Sequence, residues 1–255
     1  MQNDIEAVEE WSIENFLNLN PSKCKYMLIS RKRTPSMPEG SLLLGDLPLQ
    51  RVDAFKYLGV LLSQDISWSP QVQAVCSKAK KVLGLLYRKF YGCANTETLT
   101  QLYISLVRPH LEYASPVWAP HTAKDIHAIE SVQKFACRMA THNWNSGYHE
   151  LLSLTGLPTL ERRRLELKLG QLFKIVHNLC CFPEDIVKLR EQTPILSNTR
   201  SLHPLYLHQP RAHTNSYSYS FIPYTCSLWN SLPFEIVNAS SYNCFKHNIQ
   251  SYNFC

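Results

Sequence analysis

Adjacent acidic side chains are the residues of this sequence best suited to metal-dependent phosphoryl transfer. Two such pairs occur, Glu9-Glu10 and Glu184-Asp185. A two-metal site needs both carboxylates on a tight turn or a strand end, because both must reach ions that lie about 4 Å apart. The first pair lies on a predicted helix and the second in a segment that begins with a proline, so both patterns favour solvated carboxylates. We therefore predict no metal site in this chain.

Histidine and cysteine are numerous, with ten and nine copies, and they could bind zinc or act as nucleophiles. A structural zinc site needs close ligand pairs, and a cysteine nucleophile needs a histidine partner. The nearest groupings lack a second tight cysteine pair; they are Cys180 and Cys181 with His177, and His203 with His208 and His213. The sequence also contains neither C-x-x-C nor a glycine-rich phosphate loop. We expect reduced, mostly buried thiols and solvated histidines.

The formal net charge of +6 is concentrated in the middle of the chain. Residues 67–180 carry 14 basic and 7 acidic side chains, whereas residues 1–66 carry 7 basic and 9 acidic ones. A basic helical face attracts phosphate backbones, although an ordinary solvated face has the same composition. No stretch approaches the roughly 20 apolar residues that span a bilayer, and the acidic N-terminus lacks the apolar core of a signal peptide. We expect an intracellular protein, nuclear or cytoplasmic, without a membrane partner.

Mixed helix and strand patterns occupy the first quarter of the chain. Residues 3–17 have the apolar period of an amphipathic helix, and Asn3 with Glu6 forms a capping-box pattern at its start. Leucines flank Gly45-Asp46, a dipeptide suited to a tight hairpin. The stretch Phe55–Leu62 is predicted to be one short buried strand that joins this part to the next.

Helical patterns dominate from Ser67 to about Leu179. Four helix starts are predicted here. The first is Ser67 or Ser69, with Pro70 in the first turn, and the second is Asn95 or Thr96. The third is Thr122, with Asp125 as its capping-box partner, and the fourth is Thr159. Pro109 is expected to end or kink the second of these helices. In the last one, the periodicity predicts that Arg162, Arg163 and Lys168 point outward.

Residues 183–220 show little periodicity, and a final helix is predicted from Ser240 or Ser241. The fold class is therefore predicted as α+β. We expect a small helix-plus-hairpin domain over residues 1–66, a mainly α-helical bundle over 67–180, and a loosely structured C-terminal region over 181–255.

Several motifs of the chain resemble, in the same order, the C-terminal part of the reverse transcriptases of non-LTR (LINE-type) retrotransposons. The motifs that carry the resemblance are Leu19 to Met27 (LNPSKCKYM), Phe55 to Val60 (FKYLGV), Leu102 to Trp118 with its central RPHLEYA, Ile129 to Lys134 (IESVQK), Leu157 to Arg164 (LPTLERRR) and Leu228 to Pro233 (LWNSLP). The resemblance implies the end of a palm, a thumb and the region that follows. It covers nearly the whole chain.

The resemblance also implies roles for individual residues. Lys23 would be a proton donor to the leaving pyrophosphate in a complete enzyme, and the stretch Phe55, Lys56, Tyr57, Leu58 and Gly59 would be a primer-grip strand. The thumb helices would hold an RNA–DNA or DNA duplex through its backbone, with weak, sequence-independent affinity. The candidate residues for this contact are Lys78, Lys81, Arg88, Lys89, Arg162 and Arg163.

The sequence departs from the family at the catalytic centre. Catalysis in the family rests on an aspartate in an early palm strand and on an aromatic-x-Asp-Asp hairpin, and no Tyr-x-Asp-Asp or Phe-x-Asp-Asp occurs here. Both features would lie before Met1, so we expect a truncated RNA-directed DNA polymerase that is inactive alone. The complete enzyme uses Mg²⁺, which those carboxylates hold. We expect no cofactor in this chain.

An alternative is a helical interaction module, or a translated transposon fossil, with no nucleic-acid role. Such a module would expose apolar surface where the palm of a longer polyprotein would pack. Trp11, Phe16 and Tyr26 are the candidates for that surface.

Overall fold

A computed structural model describes residues 1–30, 40–183, 186–189 and 204–254. The chain divides into two compact units, Met1–Gln71 and Val72–Cys255. The α+β class is confirmed: short two-stranded sheets lie in the first unit, and the rest is mainly helical. The second and third predicted segments lie in the same unit. Among the described residues, no helix is both long and apolar enough to cross a bilayer.

Among its described residues, the first unit contains one complete helix, α1 (Gln2–Glu14), and three strand pairs. The strands are β1 (Lys25–Tyr26), β2 (Leu43–Leu44), β3 (Leu47–Pro48), β4 (Gln50–Arg51), β5 (Ala54–Tyr57) and β6 (Val60–Ser63). Strand β1 pairs with β4 in parallel, and the other two pairs, β2–β3 and β5–β6, are antiparallel. The hairpin predicted around Gly45-Asp46 is confirmed, with Gly45 in the left-handed region at φ 58°.

Polar side chains attach α1 to the β2–β3 hairpin. The side-chain amide of Gln2 pairs with both backbone groups of Leu43, at 2.9 and 3.2 Å, and the Gly45 amide donates to the Glu9 carboxylate at 3.0 Å. Glu9 is thus half-buried and hydrogen-bonded, Glu10 is exposed as predicted, and Glu184-Asp185 lies outside the described residues. The predicted capping box is wrong, because α1 begins one residue earlier, with Met1 at its N-cap and no side-chain cap.

Phe55–Leu62 is a hairpin rather than the single buried strand that we predicted. Leu58 and Gly59 both have positive φ, 45° and 85°, and they connect β5 to β6 by a two-residue turn. Turns with positive φ at both central residues match the right-handed twist of the flanking strands. All four residues of β5 are exposed, and of β6 only Val60 is buried.

Much apolar surface of the first unit faces solvent. Within α1 only Ser12 is buried, while Trp11 is 54% exposed and Phe16, just beyond the helix, is 92% exposed. The exposed surface predicted at Trp11 and Phe16 is confirmed, whereas Tyr26 is half-buried.

In its described part, the helical unit is built from α2 (Ser69–Phe90), whose first turn belongs to the first unit, and from the ten helices that follow it. These are α3 (Thr96–Leu102), α4 (Arg108–Glu112), α5 (Ser115–Trp118), α6 (Ala123–Thr141), α7 (Tyr148–Thr155), α8 (Leu160–Val176), α9 (Asn215–Ser218), α10 (Phe221–Asn230), α11 (Phe234–Val237) and α12 (Tyr242–Ser251). Four predicted starts are confirmed by side-chain caps: Asn95, Thr122, Thr159 and Ser241 each accept a hydrogen bond from the amide three residues ahead.

Pro109 does not end its helix. A π-helical turn, Tyr103–Val107, joins α3 to α4, and the Arg108 amide donates five residues back to the Tyr103 carbonyl. This wide turn directly precedes Pro109, whose ring nitrogen has no hydrogen to donate. The chain therefore continues as α4 to Glu112.

The described C-terminal residues form a packed core instead of the loose region that we predicted. Trp229 and Phe245 are fully buried against Leu169, Leu172 and Phe173 of α8. Polar contacts fix the same region, since the Trp229 indole N–H donates to the Leu205 carbonyl and the Asn230 side chain pairs with both backbone groups of Leu207, each at 2.9 Å. Burial of such large aromatic side chains contributes much of the stability of a core.

The Leu58-Gly59 turn yields a prediction about stability. A leucine in the left-handed region is strained by about 1–2 kcal/mol, and asparagine tolerates that region better. Leu58 is 75% exposed, so its replacement sacrifices little apolar burial. Leu58→Asn should therefore slow amide hydrogen exchange in β5 and β6. Leu58→Ala, which removes the same side chain without favouring positive φ, should not slow exchange, and an equal effect of both variants would refute the explanation.

Candidate nucleic-acid interface

Four predicted nucleic-acid contacts lie together on one exposed face of α2. The helix has 22 residues, and its sequence contains no acidic side chain. At about 100° per residue, these four positions fall within an arc of about 100°. The group, called the α2 basic face below, consists of Lys78, Lys81, Arg88 and Lys89, all exposed.

The opposite side of α2 is buried in the helical unit. Its buried apolar residues are Val72, Cys76, Ala79, Leu83 and Leu86. Burial fixes the rotation of the helix, so the basic face is held toward solvent. Burial and the Lys78 ammonium lower the pKa of nearby His110 on α4, so this imidazole is neutral at pH 7 and adds no charge.

An aromatic cluster lies at the C-terminal end of α2. Tyr87 of α2 and Tyr91, just beyond the helix, lie with ring centroids 4.5 Å apart, and Trp144 lies 6.3 and 6.2 Å from them. The Trp144 indole N–H donates to the Tyr91 hydroxyl at 2.9 Å, and Phe135 of α6 lies 5.5 Å from Trp144. Trp144 and Phe135 are 37% and 38% exposed, so solvent reaches these rings. Sequence reasoning missed this cluster, because its residues come from separate segments.

Arg162 and Arg163 are not part of the α2 basic face. Arg163 forms a two-pronged ion pair with Glu112, including Nη2 to Oε2 at 3.0 Å. Arg162 pairs with Glu166 at 2.8 Å and donates to the carbonyl of Tyr252 at 2.5 Å. Both guanidinium groups are engaged inside the protein, which leaves them poorly placed for phosphate contacts. The predicted outward orientation of Lys168 is wrong, since this side chain is buried.

A buried polar network connects residues of the motifs that resemble the thumb region. Gln133 of α6 is fully buried, and its side-chain oxygen accepts from the Tyr103 hydroxyl at 2.7 Å. Its NH₂ group donates to the Pro158 carbonyl at 2.8 Å and to the Tyr148 hydroxyl at 3.1 Å. One side chain thereby connects the π turn, α6, α7 and the segment before α8.

Glu130, one turn earlier on α6, extends the network to the start of α8. Its carboxylate accepts from the Tyr148 hydroxyl at 2.5 Å and from the backbone amides of Leu160 and Glu161 at 3.3 and 2.7 Å. An acidic group at a helix N-terminus also interacts favourably with the helix dipole. Burial, followed by the Glu130 carboxylate, raises the pKa of Tyr148, so its hydroxyl remains a donor.

The predicted site residues of the first unit are all exposed. Lys23 lies in a turn held by Asn20, whose side-chain oxygen accepts from the Ser22 amide at 3.1 Å and whose carbonyl accepts from the Lys23 amide at 3.0 Å. The predicted primer-grip residues Phe55 to Gly59 form β5 and its turn. Their exposure leaves them available for contacts, and the role implied by the resemblance stays a prediction.

Metal-binding geometry is not found in the part of the chain that the structure describes. There, no three His, Cys, Asp or Glu side chains converge to hold an ion. Eight cysteines are described, and all are free thiols. Burial raises the pKa of Cys137 and Cys226 to about 11, so these two thiols stay protonated and unreactive at neutral pH.

Comparison with known proteins gives one informative similarity. A curated protein of Drosophila melanogaster, named a probable RNA-directed DNA polymerase from transposon X-element, is 23% identical to this chain over 137 residues. The match covers 52% of this chain and 14% of that protein. No family model and no solved structure matches the chain. The similarity is weak support for a relationship with the reverse transcriptases of transposons.

The network around Gln133 yields a second prediction. Gln133→Leu should lower the free energy of unfolding by about 2–4 kcal/mol, because the buried Tyr103 hydroxyl and Pro158 carbonyl lose their partner. Urea denaturation followed by circular dichroism measures the change. Gln101→Leu, at an exposed position of α3, is the matched control and should change stability by less than about 0.5 kcal/mol. Equal effects of the two substitutions would show that the network is dispensable.

Proposed function

We propose that this chain is a part of a non-LTR retrotransposon reverse transcriptase and that its helical unit binds the backbone of nucleic acids. The observation that carries the binding proposal is the α2 basic face, an exposed surface of four cations on a helix without acidic residues. The similarity to a transposon polymerase supports the family, and the ordered motifs support the non-LTR class.

Backbone binding fits the spacing of these charges. Lys78 and Lys89 are 11 residues apart, so the face extends for about 16 Å along the helix axis at 1.5 Å per residue. Duplex DNA carries one charge per about 1.7 Å of its axis, so several phosphates come within reach of the flexible side chains. Contacts of this kind fix the position of a duplex without reading its sequence.

The aromatic cluster adds a second type of contact. Solvent-accessible rings beside cations are the combination that holds unpaired bases, because any base stacks on an aromatic ring. We place Phe135 and Trp144 in this role, because both rings pack against Tyr87 at the end of α2 that carries Arg88 and Lys89. A nucleic acid with a duplex and a single-stranded overhang would then use both surfaces.

Polymerisation by this chain alone is not part of the proposal. The sequence contains no aromatic-x-Asp-Asp motif, and in the family such carboxylates hold Mg²⁺. The exposed positions of Lys23 and of Phe55 to Gly59 support their proposed roles only in a complete enzyme.

Charge removal on α2 tests the binding proposal. The variant carries glutamine at Lys78, Lys81, Arg88 and Lys89, and its affinity for an RNA–DNA duplex should fall with little dependence on sequence. If all four side chains contact phosphates of B-form DNA, the slope of log K against log salt should shrink by up to about 3.6. Filter binding at several salt concentrations measures both quantities.

The matched control removes four other cations of the same unit. These are Lys124, Lys134, Arg211 and Lys246, also replaced by glutamine. The control has the same net charge as the α2 variant, so any difference between them reports position. The proposal is wrong if the two variants lose the same affinity, or if the unaltered protein shows no salt-dependent binding.

A second candidate function, protein docking, is favoured by the exposed apolar side chains of the first unit. Trp11 and Phe16 together present large rings to solvent, which is unusual for a surface without a partner. The partner that we propose is the palm segment of a polymerase of the same family.

Binding to a purified palm segment, taken from a related transposon polymerase, tests this candidate function. Nuclease-treated protein should bind the segment, and Trp11→Ser combined with Phe16→Ser should weaken binding at least tenfold. Leu85→Ser with Leu154→Ser, two exposed positions of the helical unit, is the control and should bind normally. Equal binding by both double variants would contradict the docking role.

A further inference from the structure

A cavity of about 430 Å³ lies within the helical unit, away from the α2 basic face. It is bounded by α8 and the residue before it, by Tyr219 and α10, by α6 and the segment before it, and by Phe254 near the C-terminus. Its size falls within the range of roughly 300–1,000 Å³ that small-molecule sites occupy. The function proposed above makes no use of it.

Two buried cations of α8 line this cavity. Lys168 is 6% exposed and Arg164 is 3% exposed. Both terminal nitrogens of Arg164 lack a hydrogen-bond partner, and the nearest carboxylate oxygen, on Glu130, lies 3.7 Å from one of them. Such a distance is too long for a hydrogen bond, so the Arg164 charge is only partly compensated.

Lys168 has no carboxylate partner within the described residues. Its ammonium lies 4.7 Å from the centroid of the Tyr224 ring, which stabilises a cation less than an ion pair with hydrogen bonds does. Burial, followed by repulsion from Arg164, lowers the pKa of Lys168 to about 8. Placing an uncompensated cation in such a site is costly, and an anion would relieve that cost.

The carboxylates near the cavity do not neutralise Lys168. The Glu161 carboxylate is exposed, so the solvent screens it, and the Glu166 carboxylate is paired with Arg162. His121 stacks on Tyr219 with centroids 4.8 Å apart and an angle of 2° between the rings. The lining thus combines excess positive charge with aromatic walls.

We infer that this cavity binds a phosphate group, with Lys168 as its cationic contact, the buried Arg164 charge behind it, and the aromatic walls beside any organic part of the ligand. A phosphate dianion matches the two charges and offers several acceptor oxygens to the Lys168 ammonium. The rings of Tyr219 and His121 suit a mononucleotide better than a bare ion. The site is distinct from the α2 basic face, so either proposal stands if the other fails.

Titration of the full chain with inorganic phosphate, at constant ionic strength and pH 7.5, tests the inference. Calorimetry should detect saturable phosphate binding, whereas acetate should not bind. Lys168→Met should weaken phosphate binding roughly tenfold to a hundredfold, the range expected for a lost charge-assisted contact. A nucleoside monophosphate should bind more tightly than inorganic phosphate if the aromatic walls take part.

Lys174→Met is the matched control, because Lys174 is another α8 lysine over a tyrosine ring, 4.4 Å from Tyr242, and does not line the cavity. It should bind phosphate normally, and so should the α2 variant. Equal phosphate affinity in Lys168→Met and Lys174→Met would overturn the inference. So would equal binding of acetate and phosphate.

A measurement on the unaltered protein tests the role of Lys168 without a substitution that could disturb folding. An anion favours the charged form of Lys168, so binding near pH 8 must take up a fraction of a proton. Sulfate, a dianion of similar shape that does not titrate at this pH, is the probe, and calorimetry in two buffers of different ionisation enthalpy measures the uptake. Binding without proton uptake, or no binding, would contradict the role of Lys168.

Discussion

The helical unit depends on the complete hydrogen bonding of Gln133 in its interior. A fully buried amide is costly unless each of its polar atoms is paired, and here the Tyr103, Tyr148 and Pro158 groups provide those partners. Because the partners come from separate helices and loops, the network specifies how these elements meet. Glu130 continues it by binding the first amides of α8.

The network gives a physical meaning to motifs that resemble a polymerase thumb. Glu130 and Gln133 belong to IESVQK, and the residues they bind begin LPTLERRR. Likewise, Glu112 of RPHLEYA pairs with Arg163, and Asn230 of LWNSLP pairs with the backbone of Leu207. In the described residues these motif positions hold the fold together rather than form a reaction centre.

Features set by neighbouring residues could be predicted from the sequence, whereas contacts between residues far apart in the chain could not. Thr122 and Thr159 identified their helices because a cap and its amide are only three residues apart. The turn at Leu58 was not predicted, because leucine seldom adopts positive φ. The Arg162 side chain looked solvated, yet it binds the Tyr252 carbonyl 90 residues away. Helical period separated the exposed α2 basic face from the core, but it did not show that α8 is buried on more than one side.

The basic side chains of the helical unit fall into two groups with different roles. On α8, Arg162 and Arg163 serve internal pairs, whereas the α2 basic face is free of acidic neighbours along its helix. Lysine footprinting by mass spectrometry, with and without saturating RNA–DNA duplex, tests this division most directly. The account predicts that the duplex protects Lys78, Lys81 and Lys89 from modification and leaves Lys124 and Lys246 unchanged. Equal modification of all five lysines at saturation would contradict it.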